Sequence, residues 1–323
     1  MNGPFVTIDL HGMMQSEMRF TMKDIAIIGM GALGLLFGDM LQSAFDVGFI
    51  VDPQRRVAYA VQPITINGTE KHFRLLDAGA VSPVDLLIFA VKGTALDQAI
   101  EDAAGYVGPD SVIVSLLNGI TSEEIIGRRF GFDHIIYCTA QGMDAVREGR
   151  NLRYTRCGKL CVGLPGGKRS PDLDALCAAF DAAGVPYEVD PDILHRLWSK
   201  FMLNVGINQT CMVFDTGYAG ATEPGSEAFV YTVSAMREVA ATAQAEGVRI
   251  GEKEINQYLE IIASLDPNAT PSMGQDRIQK RASEVEMFAG EVIALGKKHG
   301  IKVPANEYLY RRVKEIEEEY VRS

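Results

Sequence analysis

Lys200, Asn204 and Asn208 recur at i, i+4 and i+8 within Leu197-Trp198-Ser199-Lys200-Phe201-Met202-Leu203-Asn204-Val205-Gly206-Ile207-Asn208, so a helix aligns them as one polar stripe among largely apolar positions. An unpaired buried amide or ammonium costs about 1–3 kcal/mol or more, so the stripe faces either water or a polar ligand. An amphipathic surface face is the plain alternative. If a ligand is faced, the lysine and two amides can hold a carbonyl oxygen together with hydroxyl or carboxylate oxygens. Lys200 would then deliver a proton as charge develops on oxygen, which is the acid half of a carbonyl reduction.

The other half needs a hydride donor. Gly29-Met30-Gly31-Ala32-Leu33-Gly34 stands between an apolar strand-like run, Ile25 to Ile28, and a segment of helical spacing, Ala32 to Gln42. In a Gly-x-Gly-x-x-Gly turn the first glycine permits the bend, the second lets a pyrophosphate approach the backbone, and the third packs helix on strand. The helix N-terminus then offers free N–H groups to the anion. A structural turn would use glycines too, but strand, spacing, helix and an acidic residue 18 positions after Gly34 agree on a dinucleotide. That residue, Asp52, suits the ribose hydroxyls of NAD, whereas Arg55 and Arg56 suit the 2′-phosphate of NADP. Both cofactors stay open on these residues alone.

Two later strand-like runs end in polar side chains, Phe89-Ala90-Val91-Lys92-Gly93 and Leu116-Leu117-Asn118-Gly119. Open parallel sheets bind ligands at that edge, which makes Lys92 and Asn118 site candidates against the readings of a solvated lysine and an Asn-Gly turn. Ser272, in Pro271-Ser272-Met273-Gly274-Gln275-Asp276, sits where a helix begins, and Glu284 follows three turns on; unaided, these read as a capping serine and a solvated glutamate.

The elements that must position these residues fall into two halves, as the 323-residue length predicts. Strand-length apolar runs alternate with helical segments from Lys23 to about Val189, and after Asp190-Pro191 only 3.6-residue periodicity remains. The reading is an N-terminal Rossmann-type doubly wound α/β domain over 23–190 and an all-helical domain over 191–323, with 1–22 a disordered extension. In detail, Asp52-Pro53 is read as the end of the second strand, and Ile64 to Asn67 with Phe73 to Leu75 as a hairpin. Thr121-Ser122-Glu123-Glu124 is read as a capping box, and Arg277 to His299 as one helix.

A formal charge of −11 disfavours a phosphate backbone as partner. The apolar run Ile25 to Gly38 is short of the ~20 residues a membrane-spanning helix needs, and residues 1 to 22 lack a signal-like apolar core. Five cysteines without C-x-x-C spacing fit reduced thiols in the cytoplasm, and five scattered histidines give no metal-ligand spacing. No nucleic acid, membrane or metal is expected; a homodimer stays open.

Taken in order, Gly29-x-Gly31-Ala32-Leu33-Gly34, Val91-Lys92, Asn118-Gly119, Trp198-x-Lys200-x-x-x-Asn204-x-x-x-Asn208, Ser272-Met273-x-Gln275-Asp276 and Glu284-Val285 resemble the ketopantoate reductase family, from Ile25 to roughly Arg312. The resemblance implies a helical C-terminal domain like that of 6-phosphogluconate dehydrogenase, a cleft active site, and NADPH-dependent reduction of 2-dehydropantoate to pantoate on the route to coenzyme A. It implies Lys200 as general acid, with Asn204, Asn208 and Ser272 on substrate oxygens. It places Lys92, Asn118 and Glu284 around the reacting carbons, Glu284 with Lys200 in the catalytic pair, and Ala145 in contact with cofactor. Asp52-Pro53 stands where many relatives carry arginine, which moves the 2′-phosphate role to Arg55. Gly274 replaces a common bulky residue, and Gln209 to Tyr218 lacks a further asparagine that some relatives use on substrate. Another small 2-oxo acid, or a dinucleotide sensor without turnover, are the rival readings; the sensor does not require the Lys200 stripe.

Overall fold

The computed structural model describes residues 22–322. The 1–22 extension therefore falls outside the described residues except for Met22, which is buried against the core of the sheet. The chain runs β1 (Asp24–Ile28), α1 (Ala32–Leu41), β2 (Asp46–Val51), α2 (Pro53–Val61), β3 (Ile64–Ile66), β4 (Thr69–Lys71), β5 (Arg74–Asp77), β6 (Val84–Phe89), α3 (Leu96–Ala103), β7 (Val107–Ser115) and α4 (Ser122–Phe130). It continues through β8 (Ile135–Met143), β9 (Val146–Glu148), β10 (Asn151–Arg153), β11 (Cys157–Gly163), α5 (Pro171–Ala183) and β12 (Tyr187–Val189). Helices follow: α6 (Ile193–Phe214), α7 (Tyr218–Thr222), α8 (Glu227–Ala245), α9 (Glu252–Ala263), α10 (Ser272–Ile278), α11 (Ala289–His299) and α12 (Pro304–Arg322).

Eight strands form one sheet in the order β12-β11-β8-β7-β6-β1-β2-β5, parallel throughout except for the β8/β11 pair. Its inner strands are continuous apolar runs because both faces are covered. In β1, Ile25 and Ile27 enter the core beneath α1 and α5, while Ala26 and Ile28 enter the core beneath α3 and α4. A second small sheet, β4-β3-β10-β9, stands beside it. The helices pack around α6, whose Trp198, Phe201, Met202 and Val205 meet Met236, Phe288, Val292 and Leu309. At the junction buried Asp190 accepts from Asp192 N at 2.8 Å and from Arg196 Nε at 2.6 Å, and Arg196 also reaches Glu188 at 3.1 Å, tying the start of α6 to the last strand.

One local expectation holds and three are corrected. The second strand ends at Val51, just before Asp52-Pro53 as read, and Pro53 then opens α2: its fixed φ and missing N–H suit a first turn, and the Asp52 carboxylate caps it by accepting from Arg55 N at 2.8 Å. The hairpin joins β3 to β4 across Asn67-Gly68, whereas Arg74–Asp77 leaves it to lie parallel to β2. Thr121 makes no capping bond; Ser122 bonds Glu123 and Ser115 instead. The helix read over 277–299 is broken between Ile278 and Ala289, where Ser283 gives its N–H and hydroxyl to Glu317 at 2.7 and 2.6 Å. That pull from a residue 34 positions away outweighs the local periodicity.

Candidate functional site

From β1 the chain steps outward to β2 and later returns to β6 on the other side, so the sheet reverses direction between β1 and β6. A crevice opens there, outside the carboxyl ends of the strands. The Gly29–Gly34 turn leads into α1, whose first N–H groups take no side-chain cap among the described residues. Within this turn the glycines have different causes. A Cβ at Gly34 would lie 2.0 Å from the Gly29 carbonyl oxygen, so the fold itself excludes it. A Cβ at Gly31 would meet nothing nearer than the Ala90 carbonyl oxygen at 3.5 Å, and Gly31 has an ordinary extended backbone. Packing therefore does not require glycine at 31, and its absent side chain leaves the backbone open to the crevice.

A cavity of about 560 Å³ runs from Gly29, Met30, Gly31, Ala32 and Leu33 to Lys92, Asn118 and Glu284. A second, of about 230 Å³, continues over the end of β2 along Asp52, Arg55 and Gln98. Together they give a phosphate-sized approach at a helix N-terminus, a polar ribose end and a reacting end, the donor set a dinucleotide requires.

At the reacting end three elements converge. Lys200 Nζ, from α6, donates to Asn118 Oδ1 at 3.3 Å, and Asn118 Nδ2, beyond β7, donates to Glu284 Oε2 at 3.1 Å. One turn along α6 from Lys200, Asn204 Oδ1 accepts from Asn208 Nδ2 at 3.4 Å. Asn208 Oδ1 in turn accepts from the Ser272 hydroxyl at 2.8 Å. Burial pushes the Lys200 pKa down, with Cys138 and Glu284 pulling the other way. Beneath it lies Glu123, fully buried, whose carboxyl burial pushes up in pKa. Lys92 spans the cleft to Asp276 on α10 at 3.3 Å, and Arg281 holds the same carboxylate at 3.0 Å.

Lys200, Asn118 and Glu284 are thus brought together, as are Asn204, Asn208 and Ser272, and the two groups adjoin along α6. Ala145 is not brought in: it packs against the core of the sheet, and Arg147, two residues on, lines the cavity instead. Asp52 and Arg55 line the outer cavity but also serve each other, through the cap and a 3.3 Å ion pair. The sequence gives Asp276 no role of its own, although its motif contains it, and no local spacing marks Arg147. Gln209, in the segment lacking a further asparagine, is wholly buried and braces α6 through Val205 O and Ala289 N, at 2.7 and 3.1 Å. Among the described residues no helix is long and apolar enough to cross a membrane, and no group of three His, Cys, Asp or Glu side chains could hold a metal.

The ketopantoate reductase PanE/ApbA model matches residues 25–164, and the ketopantoate reductase PanE/ApbA C-terminal model matches 192–317. A 2-dehydropantoate 2-reductase of Vibrio cholerae is 26% identical over 303 residues, 92% of this chain and 99% of that one. The crystal structure of a PanE/ApbA family ketopantoate reductase from Ralstonia eutropha superposes with a TM-score of 0.79 at 26% identity, covering 92% of this chain and 99% of that one. D-mandelate dehydrogenase, solved with NADH and anilino(oxo)acetate, superposes at 0.80 with 24% identity over 92% of this chain and 99% of that one, a likeness of fold.

Proposed function

The chain belongs to the ketopantoate reductase family, and from that premise we propose that it reduces 2-dehydropantoate to pantoate with NADPH. It is an oxidoreductase acting on CH–OH groups. In this reading residues 23–190 hold the dinucleotide and 191–323 the substrate. The observation that carries it is the Lys200–Asn118–Glu284 chain of hydrogen bonds, which sets a cation from the helical half directly behind the Asn118 and Glu284 end of the glycine-turn cavity. When bound, reduced nicotinamide supplies a hydride to the substrate carbonyl carbon. Lys200 protonates the carbonyl oxygen as charge builds there, Asn118 fixes the direction of its ammonium, and Glu284 favours its charged state. The amides of Asn204 and Asn208 and the Ser272 hydroxyl face the hydroxyl and carboxylate oxygens, and Lys92 stands at the cofactor end. Five free thiols suit a reducing compartment, and we place the protein in the cytoplasm.

The test follows absorbance of NADPH and of NADH with 2-dehydropantoate and with a panel of other branched or hydroxylated 2-oxo acids. The expected result is the highest kcat/KM for 2-dehydropantoate with NADPH; an analogue turned over far better would transfer the assignment to that acid.

Preference for NADPH is attributed to Arg55. Its exposed pair with Asp52 is of a kind worth only about 0–1 kcal/mol, so a dianionic phosphate can displace the carboxylate. Arg55→Ala is expected to weaken NADPH by about tenfold and NADH hardly at all; equal losses would remove the phosphate role.

A further inference from the structure

We propose that Arg147, carried by the hairpin of the small sheet, binds the cofactor pyrophosphate from the side opposite the α1 N-terminus. The inference rests on the dinucleotide part of the proposed function. Arg147 lies 116 positions beyond Gly31 in sequence (147 − 31), yet its Nη1 donates to the Met30 carbonyl inside the glycine turn. Its Nη2 donates to the Tyr59 hydroxyl at 3.1 Å and its Nε to Gly149 O at 2.8 Å. These three bonds use three of the five N–H groups of a guanidinium, and the residue lines the same cavity as Gly31 and Leu33.

The need for such a cation follows from charge. A pyrophosphate carries two negative charges, and α1 answers them only with backbone N–H groups, having no basic side chain in its first turn. Lys92 is held by the buried Asp276 carboxylate, and Arg55 is already assigned to the 2′-phosphate at the far end of the groove. Among the described residues Arg147 forms no carboxylate pair; its partners are neutral oxygens and the Tyr59 ring, 5.8 Å from its Cζ. It is a positive charge fixed at the turn with donors in hand, in the planar geometry that suits phosphate.

The measurement is direct titration of the purified full chain with NADH, NADPH and ADP-ribose, read by ligand and protein fluorescence without substrate. Arg147→Gln retains side-chain donors for the neighbouring oxygens while removing the charge, and a melting curve checks that it folds. Expected is a rise in Kd of about tenfold or more for all three ligands alike, with a shallower salt dependence than the parent. Arg147→Lys should recover part of the loss, as charge without the fork. Unchanged Kd values in Arg147→Gln overturn the proposal, as does a loss confined to NADPH, which would put the cation at the 2′-phosphate. If Arg147→Gln does not fold, Arg147→Lys decides instead, and unchanged affinity for all three ligands in that variant overturns the proposal. A parent chain that binds none of the three overturns both readings. Binding without turnover of any 2-oxo acid removes the reductase reading and leaves Arg147 in place.

Discussion

Lys200→Ala is expected to lower kcat by about 10²–10⁴-fold, the usual contribution of a positioned general acid, while NADPH affinity stays within about twofold. The amine touches Asn118 and faces Glu284 but does not line the glycine-turn cavity, so its loss reaches the proton and not the dinucleotide. Near-normal turnover in the variant would end the assignment, and an unchanged ligand response in a chain that never turns over substrate would favour the sensor reading. The pH profile gives an independent check. The protonated amine is the acid, so the rate falls as pH rises through its pKa. Burial lowers that pKa from the 10.5 of an ordinary lysine, and the alkaline limb must therefore begin earlier than a surface lysine would put it. Lys200→Arg cannot be deprotonated in this range and should flatten that limb in whatever activity it retains.

Gly34→Ala and Gly31→Ala should fail in opposite ways. At Gly34 the new methyl overlaps the Gly29 carbonyl oxygen at 2.0 Å, a backbone group that cannot swing aside. Overpacking of this severity costs about 3 kcal/mol or more, a fall in melting temperature of roughly 6–12 °C for a unit the size of the sheet half unfolding by itself and about 4 °C if the whole chain unfolds at once. At Gly31 the methyl meets only a 3.5 Å contact, so the melting temperature should hold while the Kd for NADPH rises about ten- to a hundredfold. Melting curves beside cofactor titrations read both. A Gly31→Ala chain that binds cofactor normally would mean that no phosphate approaches the turn there.

The glycine turn, the two halves and the Lys200 stripe were legible because each is a local pattern: spacing within one turn or one helix carries the information. The sequence misleads where distant partners decide. Arg74–Asp77 joins β2 because the edge of the large sheet offers a parallel partner that no local signal announces. The break before Ala289 depends on Glu317, and it is this break that lets Glu284 turn in to Asn118 instead of riding a helix face. Arg147 is invisible for the same reason: a solitary arginine acquires meaning only when two hairpins fold it over the turn. The family pattern carried what spacing could not, the order of motifs across both halves, but it placed its cofactor contact at Ala145, where the neighbouring hairpin now presents Arg147.

The clamp of Asp190 on Arg196 fixes the start of α6 to the end of the sheet. From the first residue of α6, Lys200 lies seven residues out and Asn208 fifteen, about 10 and 22 Å at 1.5 Å per residue. A tilt about that joint moves the far arm of the lever roughly twice as far as the near one. An outward swing would therefore carry Asn208 about twice as far as Lys200.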